Sequence, residues 1–337
     1  MERKKAATLR DVAERAGVSK MAASAALSNY SGNVRISDTT RTRILEAARQ
    51  LGYTPNEVAR SLRRQRTDII ALYCGYGYLN ASLPFLSEII GGVQEGCDEW
   101  HKDLLLHGVF RGQSVDDIHL ACVSGKTDGL ILNAAPSDPL VQKLAESHLP
   151  VVAIIDPIES LPSVSVDEVQ GARLSASHLA RAGYQRIIYF ARGWQPPLVS
   201  VERRREAFLK CAPDFGLEVT LFNLENPNDI PTDTLLGLLR PTGIDQRTAA
   251  VCWNDAVAYD LLARFITIGI KVPEDVGLVG FDGLGTQLDG VMRLTSIRAP
   301  WAHVARTAVS LLCARIKGER VPAETVLPVD LCEGHTA

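Results

Sequence analysis

The sequence predicts an α/β protein with a small helical head, residues 1–54, a linker, residues 55–67, and a two-lobed core, residues 68–337. The first observation is charge. Residues 1–67 contain 14 Lys and Arg against 6 Asp and Glu, whereas residues 68–337 contain 22 against 33. A basic head on an acidic body indicates that the head, and not the body, meets a polyanion.

The second and third observations are two periodicities. Short helical patterns with capping residues fill the head, whereas β-branched runs alternate with amphipathic helices in the core. Apolar strands alternating with helices are typical of parallel sheets covered on both faces. Because about 270 residues exceed one compact sheet, we expect two lobes. The predicted strands cover residues 69–72, 129–132, 151–155, 187–190, 249–253 and 276–281, and two of the helices cover 172–182 and 256–268.

The first helices of the head have the pattern of a helix-turn-helix. Thr8 and Asp11 have the spacing of a capping box, and Gly17 is placed to end the helix that they begin. Ser19 is placed to cap a second helix, which such a motif inserts into the major groove of DNA. A third helix is expected to start at Ser37 and to end at Gly52, after a polar loop.

Bulk properties exclude several classes of protein. No apolar run approaches the roughly 20 residues of a membrane span, and no apolar signal core follows the charged N-terminus. We therefore expect a cytoplasmic, nucleoid-associated protein with no membrane partner. The seven cysteines are scattered, without a Cys-x-x-Cys pair, which favours reduced, buried thiols over disulfides or zinc. We predict no metal and no cofactor.

Motifs in the head resemble the lactose/galactose-repressor (LacI/GalR) family of transcription regulators. They are Asp11-Val12-Ala13, Ala16-Gly17-Val18-Ser19, Thr40-Arg41, Leu51-Gly52-Tyr53-x-Pro55-Asn56 and Ala59-Arg60-x-Leu62. The resemblance implies that Pro55 to about Arg63 form a hinge helix that orders only on DNA, with Leu62 as a minor-groove wedge. An apolar wedge unstacks a base step and kinks the duplex. The alternative is that Leu62 packs on the body.

The resemblance also implies a set of DNA-contacting positions in the head and hinge. We predict that they are Thr8, Ser19, Lys20, Met21, Ser24, Ala25, Asn29, Arg41, Asn56, Ala59, Arg60, Leu62 and Arg63. The recognition helix departs from the family pattern, because Ala22 and Ala25 replace a hydroxyl and a long side chain that commonly meet DNA. Lys20 and Met21 remain suited to a guanine edge and a thymine methyl group.

The resemblance extends through the core, in motifs such as Thr127-Asp128-Gly129, Asn254-Asp255 and Val272-Pro273-Glu274-Asp275-Val276. It implies a periplasmic-binding-protein-like core of two doubly wound parallel sheets with a ligand cleft between the lobes. The first lobe is expected to span about 68–168 and 299–326, and the second about 169–298 and 327–337.

The cleft is expected at the carboxyl ends of the strands, where open parallel sheets bind ligands. The resemblance implies that the effector-binding residues are Phe85, Leu86, Asp156, Trp194, Arg204, Trp253, Asn254 and Asp282. Structural alternatives stand beside several of these assignments. Either Trp could be plain core, Asn254 and Asp255 could cap a helix, and Asp282 could belong to a strand-end turn.

Two fragments suggest an enzyme, and both are incomplete. Gly75-x-Gly77-x-x-Asn80 lacks the third glycine of a dinucleotide fingerprint, and Leu120 stands where a phosphate loop that includes Gly125-Lys126-Thr127 needs glycine. We find no acid-base constellation and predict no enzymatic activity.

The combined prediction is a ligand-controlled, DNA-binding repressor that acts as a homodimer on a near-palindromic operator. A sugar or sugar derivative is the expected effector. The alternative is a small-molecule-binding protein of the same fold without regulatory DNA binding.

Overall fold

The computed structural model describes residues 7–27, 36–75, 83–108, 112–192, 198–224, 230–240, 246–285 and 292–337. The chain divides into two compact units, Met1–Thr67 and Asp68–Ala337. We call the first unit the head and the second the core.

In its described ranges the head contains four helices, α1 (Leu9–Ala16), α2 (Lys20–Leu27), α3 (Asp38–Leu51) and α4 (Glu57–Arg64). The capping predictions are confirmed. The Asp11 carboxylate accepts a hydrogen bond from the Thr8 backbone N–H at 2.7 Å, and Gly17 adopts the left-handed conformation with φ of 61°. The Ser19 hydroxyl accepts from the Ala22 N–H at 3.1 Å at the start of α2. These local bonds set the helix-turn-helix geometry.

Small apolar side chains hold the first three helices together. Val12, Ala23 and Ile44, one from each of α1, α2 and α3, are fully buried against one another. Because alanines dominate the contact, the helices approach closely, and the polar faces of α1 and α2 remain at the surface.

The core contains eight helices and twelve strands in the described ranges, in the following order along the chain. They are β1 (Ile69–Cys74), α5 (Pro84–Glu99), β2 (Asp103–Leu106), α6 (Val115–Cys122), β3 (Gly129–Asn133), α7 (Pro139–Ala145), β4 (Val151–Ile154), β5 (Ser163–Val166), α8 (Glu168–Arg181), β6 (Tyr184–Arg192), α9 (Val199–Cys211), β7 (Glu218–Leu224), α10 (Thr232–Leu239), β8 (Arg247–Cys252), α11 (Asp255–Thr267), β9 (Gly277–Asp282), β10 (Thr295–Arg298), α12 (Trp301–Ile316), β11 (Glu324–Leu327) and β12 (Asp330–Cys332).

The strands form two six-stranded sheets, one for each lobe. The first has the order β11-β5-β4-β3-β1-β2, and the second has the order β12-β10-β9-β8-β6-β7. All pairs in the first sheet are parallel. In the second sheet β12 runs antiparallel to β10 at one edge, and the other pairs are parallel, so the prediction of two parallel sheets is confirmed.

Each sheet is buried on both faces, because successive side chains of a strand point in opposite directions. In β1, Ile70 and Leu72 join one apolar cluster, whereas Ala71 and Tyr73 join another. In the second sheet, Ile188 and Phe190 of β6 lie in one cluster and the intervening residues in another. This two-sided burial confirms the doubly wound architecture.

Helices α5 and α12 pack closely on the first sheet. A Cβ added to Gly92 of α5 would lie 2.1 Å from the Ala302 carbonyl oxygen, and one added to Gly96 would lie 2.8 Å from the Val309 Cβ. Glycine is required at both positions for this separation between the helices.

The thiols are buried, as predicted: six of the seven cysteines are buried and Cys332 is half-buried. Burial raises the pKa of Cys97 and of Cys122 to about 11, so that these thiols remain protonated. Within the described ranges, no three His, Cys, Asp or Glu side chains lie close enough together to hold a metal ion. None of the described helices combines the length and apolar composition of a membrane span.

Candidate functional site

A groove of about 1050 Å³ in the head gathers many of the predicted DNA-contacting residues. It runs from the start of α1 along α2 and ends on α4. Seven predicted positions line it: Thr8, Lys20, Met21, Ser24, Asn56, Ala59 and Arg60. Residues from the first turn of α2 and from the hinge segment therefore share one concave surface, although more than 30 positions separate them.

The exposed end of α2 carries the side chains suited to reading bases. Met21 is 70% exposed, Lys20 is also exposed, and Ala25 is half-buried on the next turn. Arg41 lies outside the groove, and its guanidinium donates a hydrogen bond to the Ala26 carbonyl at 3.1 Å. This bond ties α3 to the end of α2.

The hinge segment is a helix, α4, with its own cap. Asn56 accepts a hydrogen bond from the Ala59 N–H at 3.2 Å, and Gln65 ends the helix in the left-handed conformation. Leu62 is 76% exposed and Val58 is 68% exposed, so the helix presents apolar side chains at its surface. Arg63 lies on the same helix. The predicted contact at Asn29 falls outside the described residues.

In the core, the predicted effector positions meet where the two lobes face each other. Asp156 comes two residues after β4, Asn254 two residues after β8, and Asp282 is the last residue of β9. Asp156 lies at the carboxyl end of the first sheet, and Asn254 and Asp282 lie at the carboxyl end of the second. These two edges face each other, because Ser200 of α9 bonds Asp156 and Trp301 of α12 bonds Asp282. Asn254 also caps α11, accepting from the Val257 N–H at 3.0 Å, and Asp282 has φ of 124°; both therefore have structural roles.

Arg204 of α9 is buried and is held by Glu168 at the start of α8. The Arg204 Nε and Nη2 atoms donate to the two Glu168 carboxylate oxygens at 2.6 and 2.9 Å. Its Nη1 atom donates to the Trp253 carbonyl at 2.5 Å, and its Cζ lies 3.3 Å from the centroid of the Phe281 ring. Burial alone would lower the pKa of Arg204, but the Glu168 carboxylate outweighs this and raises it.

Asp156 connects the two lobes. It is 1% exposed, and one of its oxygens accepts from both the backbone N–H and the hydroxyl of Ser200, each at 2.8 Å. Ser200 lies in the first turn of α9, where the backbone N–H groups have no partner within the helix. A carboxylate from the first lobe thus caps a helix of the second lobe.

Two more buried carboxylates, Asp255 and Asp282, lie beside this cluster. Asp255 accepts from the Ser296 hydroxyl at 2.5 Å and from the Leu284 N–H at 2.9 Å. Burial raises the pKa of Asp255 to about 7. Burial and the Asp255 carboxylate raise the pKa of Asp282 well above its ordinary value. The Trp301 indole N–H donates to Asp282 at 3.2 Å and so also links the lobes.

The aromatic positions are only partly brought together. Phe85 is half-buried near the start of α5 and meets Trp301 edge to face, with ring centroids 5.1 Å apart. Leu86 is buried, and Trp253 is half-buried between β8 and α11. Trp194 falls outside the described residues.

Three residues at this edge escaped the sequence analysis: Glu168, Ser200 and Trp301. Glu168 and Ser200 stand in the first turns of helices, where acidic and hydroxyl residues are common for local reasons. Trp301 is the first residue of α12, three residues after β10, and its position after a buried strand was the available signal.

Comparison with known proteins identifies the family. Residues 8–56 match the family described as bacterial regulatory proteins, lacI family, and residues 176–337 match the periplasmic binding protein-like domain. The HTH-type transcriptional regulator CelR of Thermobifida fusca is 30% identical over 355 residues, covering 98% of each chain. The chain belongs to the lacI family of bacterial regulatory proteins. This lacI-family protein is accordingly a DNA-binding transcriptional regulator.

Solved structures have the same architecture. The lac repressor dimer bound to operator and the anti-inducer ONPF matches with a TM-score of 0.82 at 24% identity, covering 98% of this chain and 99% of that chain. The complex of the regulator CelR with cellobiose matches with a TM-score of 0.68 at 25% identity, covering 98% and 100%. The first likeness is one of fold, and it supports the head-plus-two-lobe architecture.

Proposed function

We propose that this lacI-family protein is a cytoplasmic, nucleoid-associated repressor that acts as a homodimer and catalyses no reaction. Each head places the start of α2 in a major groove, and Lys20 and Met21 read base edges there. Two heads related by a twofold axis read half-sites about one helical turn apart, so the operator is a near-palindrome. A lac repressor dimer bound to operator supports this assembly by analogy.

We further propose that α4 acts as the hinge helix and that Leu62 enters the minor groove. The observation that carries this proposal is the exposure of Leu62, which is 76% accessible on a helix next to the groove of the head. An exposed leucine gains free energy when it stacks between base pairs, and the kinked duplex gains further protein contacts. Arg60, Arg64 and Arg66 stand on or beside the same helix to neutralise phosphates.

Control of DNA binding is assigned to a small polar ligand, a sugar or sugar derivative, at the edge where Asp156, Arg204, Asn254 and Asp282 meet. A ligand that prefers one arrangement of the lobes shifts the equilibrium between a DNA-binding and a released state. The bonds from Ser200 to Asp156 and from Trp301 to Asp282 cross between the lobes, so a ligand that replaced them would alter that arrangement. The relative CelR, whose complex with cellobiose is known, is a precedent for a sugar.

The test is Leu62→Ala, measured on a DNA sequence that the wild-type protein has selected from a random pool. Specific affinity should fall by at least about tenfold, or ~1.4 kcal/mol, whereas weak binding to unrelated DNA and its salt dependence should persist. Leu45→Ala is the matched control, because Leu45 is a 48% exposed leucine on α3 of the same head. Equal loss of specific and nonspecific binding in Leu62→Ala would contradict the wedge.

A further inference from the structure

The buried cation of the proposed effector site is already neutralised. Arg204 is 6% exposed and Glu168 is 6% exposed, and the two side chains meet in a two-bond, side-by-side pair at 2.6 and 2.9 Å. Such pairs are strong because both donors point at a planar carboxylate. A ligand carboxylate or phosphate would have to displace Glu168 in order to use this edge of the guanidinium.

The rest of the guanidinium is also largely occupied. Arg204 donates its third nitrogen to the Trp253 carbonyl, and the Phe281 ring covers one face of the group. A guanidinium has five N–H donors, of which three are used here. Glu168 takes the Nε–Nη2 edge, so each terminal nitrogen keeps at most one further donor, which can meet a hydroxyl group.

Among the side chains that the structure describes, the other buried groups at this edge add acid and no further positive charge. Besides Glu168, the carboxylic acids at this edge are Asp156, Asp255 and Asp282, all 7% exposed or less. Arg298, at the end of β10, is exposed to water, where its charge is screened. Burial raises the pKa of Asp255, of Asp282 and of Glu168, and the Arg204 charge opposes the shift at Glu168. Protonation of any of these acids removes negative charge without creating positive charge.

We propose that this site selects an uncharged, hydroxyl-rich effector and that Glu168 is the specificity-determining residue that excludes anionic ligands such as sugar acids and phosphates. The inference rests on the proposed function, since it assumes that the effector binds at this edge. Hydroxyl groups can donate to carboxylates and accept from the free Arg204 donors, whereas an anion brings a second negative charge beside Glu168 and Asp156.

The experiment measures anion binding directly, with sodium glucuronate and inorganic phosphate as probes in isothermal titration calorimetry near neutral pH. Wild-type protein should give no saturable heat with either probe at millimolar concentrations. Glu168→Gln keeps the side-chain shape and removes the charge. It should give saturable heat with glucuronate, at an affinity at least about tenfold above the upper limit set by the wild-type titration. Glu168→Asp keeps the charge and should exclude glucuronate as wild type does.

Glu202→Gln is the matched control, because Glu202 pairs with Arg205 on the same helix as Arg204 but at a more exposed position. It should behave as wild type with both probes. Thermal melting with glucuronate, against sodium chloride at equal ionic strength, supplies a reading on the wild-type protein even where Glu168→Gln folds poorly. If glucuronate raises the melting temperature of the wild-type protein no more than sodium chloride does, the exclusion of anions is supported.

Saturable binding of either probe at the wild-type site would overturn the inference, and so would a folded Glu168→Gln protein that still excludes glucuronate. Failure of this inference can be distinguished from failure of the proposed function. If wild-type protein selects no DNA sequence, the repressor proposal fails, but the calorimetry still reports whether Glu168 excludes anions.

Discussion

The free energy of unfolding should fall as the pH rises through the pKa of Asp255, and replacing Asp255 by asparagine should abolish that fall. Burial raises the pKa of Asp255 from 3.8 to about 7. An acid whose pKa is higher in the folded state binds its proton more tightly when folded. Its contribution to stability is therefore complete below the unfolded pKa and is lost as the pH rises through the folded pKa.

The size of this loss follows from the two pKa values. The interval from 3.8 to about 7 corresponds to roughly 4 kcal/mol in total. Roughly 2 kcal/mol of it falls between about pH 5.5 and pH 8, and the loss levels off above the folded pKa. In the asparagine variant, the side-chain oxygen can still accept from the Leu284 N–H and the amide can donate to the Ser296 hydroxyl. The variant thus keeps its hydrogen bonds and has no proton to lose.

The assay is urea unfolding, followed by tryptophan fluorescence, at about pH 5.5 and pH 8 and at one protein concentration. Between these two pH values, the free energy of unfolding of Asp255→Asn should fall by roughly 2 kcal/mol less than that of wild type. Asp117→Asn is the control. Hydrogen bonds from Ser114 lower the pKa of Asp117, so its effect appears as the pH falls below about 4 and not in this window. Identical pH dependence in Asp255→Asn and wild type would refute the reasoning.

Two further substitutions test the packing and the contact between the lobes. Gly92→Ala should destabilise the core by ~1–3 kcal/mol or more, because the new Cβ would lie 2.1 Å from a carbonyl oxygen of α12. The control is Gly91→Ala, because a Cβ added to Gly91 would have no atom within 4 Å, and this substitution should stabilise the protein by up to ~1 kcal/mol. Equal melting temperatures for the Gly92→Ala and Gly91→Ala proteins would contradict the assigned packing. Ser200→Ala should cost ~1.5–3 kcal/mol in urea unfolding by removing a donor from the buried Asp156 carboxylate. Ser147→Ala removes only neutral bonds, one to the Leu144 carbonyl and one from the Leu149 N–H, and should cost about 1 kcal/mol. A smaller loss at Ser200 than at Ser147 would count against a charged bond between the lobes.

Local signals made the head predictable from sequence. A capping box at Thr8 and Asp11, a glycine at position 17 and a hydroxyl at Ser19 act within a few residues of one another, and the structure contains each of these features. The six strands predicted in the core are present because their apolar runs are buried on both faces.

The missed strands have weaker signals. Strand β7 lies at an edge and includes Glu218, Thr220 and Asn223, so its side chains do not form an apolar run. Strands β2, β5, β10, β11 and β12 have three or four residues each, too few for a periodicity to stand out. Their pairing depends on the rest of the sheet.

The ligand site was predictable only in part, because its partnerships span long separations. Asp156, Asn254 and Asp282 follow strands, and that position indicates a sheet edge. The pairing of Glu168 with Arg204, 36 residues apart, and the bond from Trp301 to Asp282 depend on how the lobes fold together. The sequence alone therefore did not predict the pairing of charges that we propose to select the effector.

The measurement that tests the central claim most directly is selection of DNA from a random pool by the purified full-length protein, without ligand, followed by sequencing. A homodimeric repressor should enrich a near-palindrome with half-sites about one helical turn apart and a constant centre, where the wedge enters. Retention of DNA with no enriched sequence, abolished by moderate salt, would contradict the claim, because it would leave only the electrostatic attraction of a basic head.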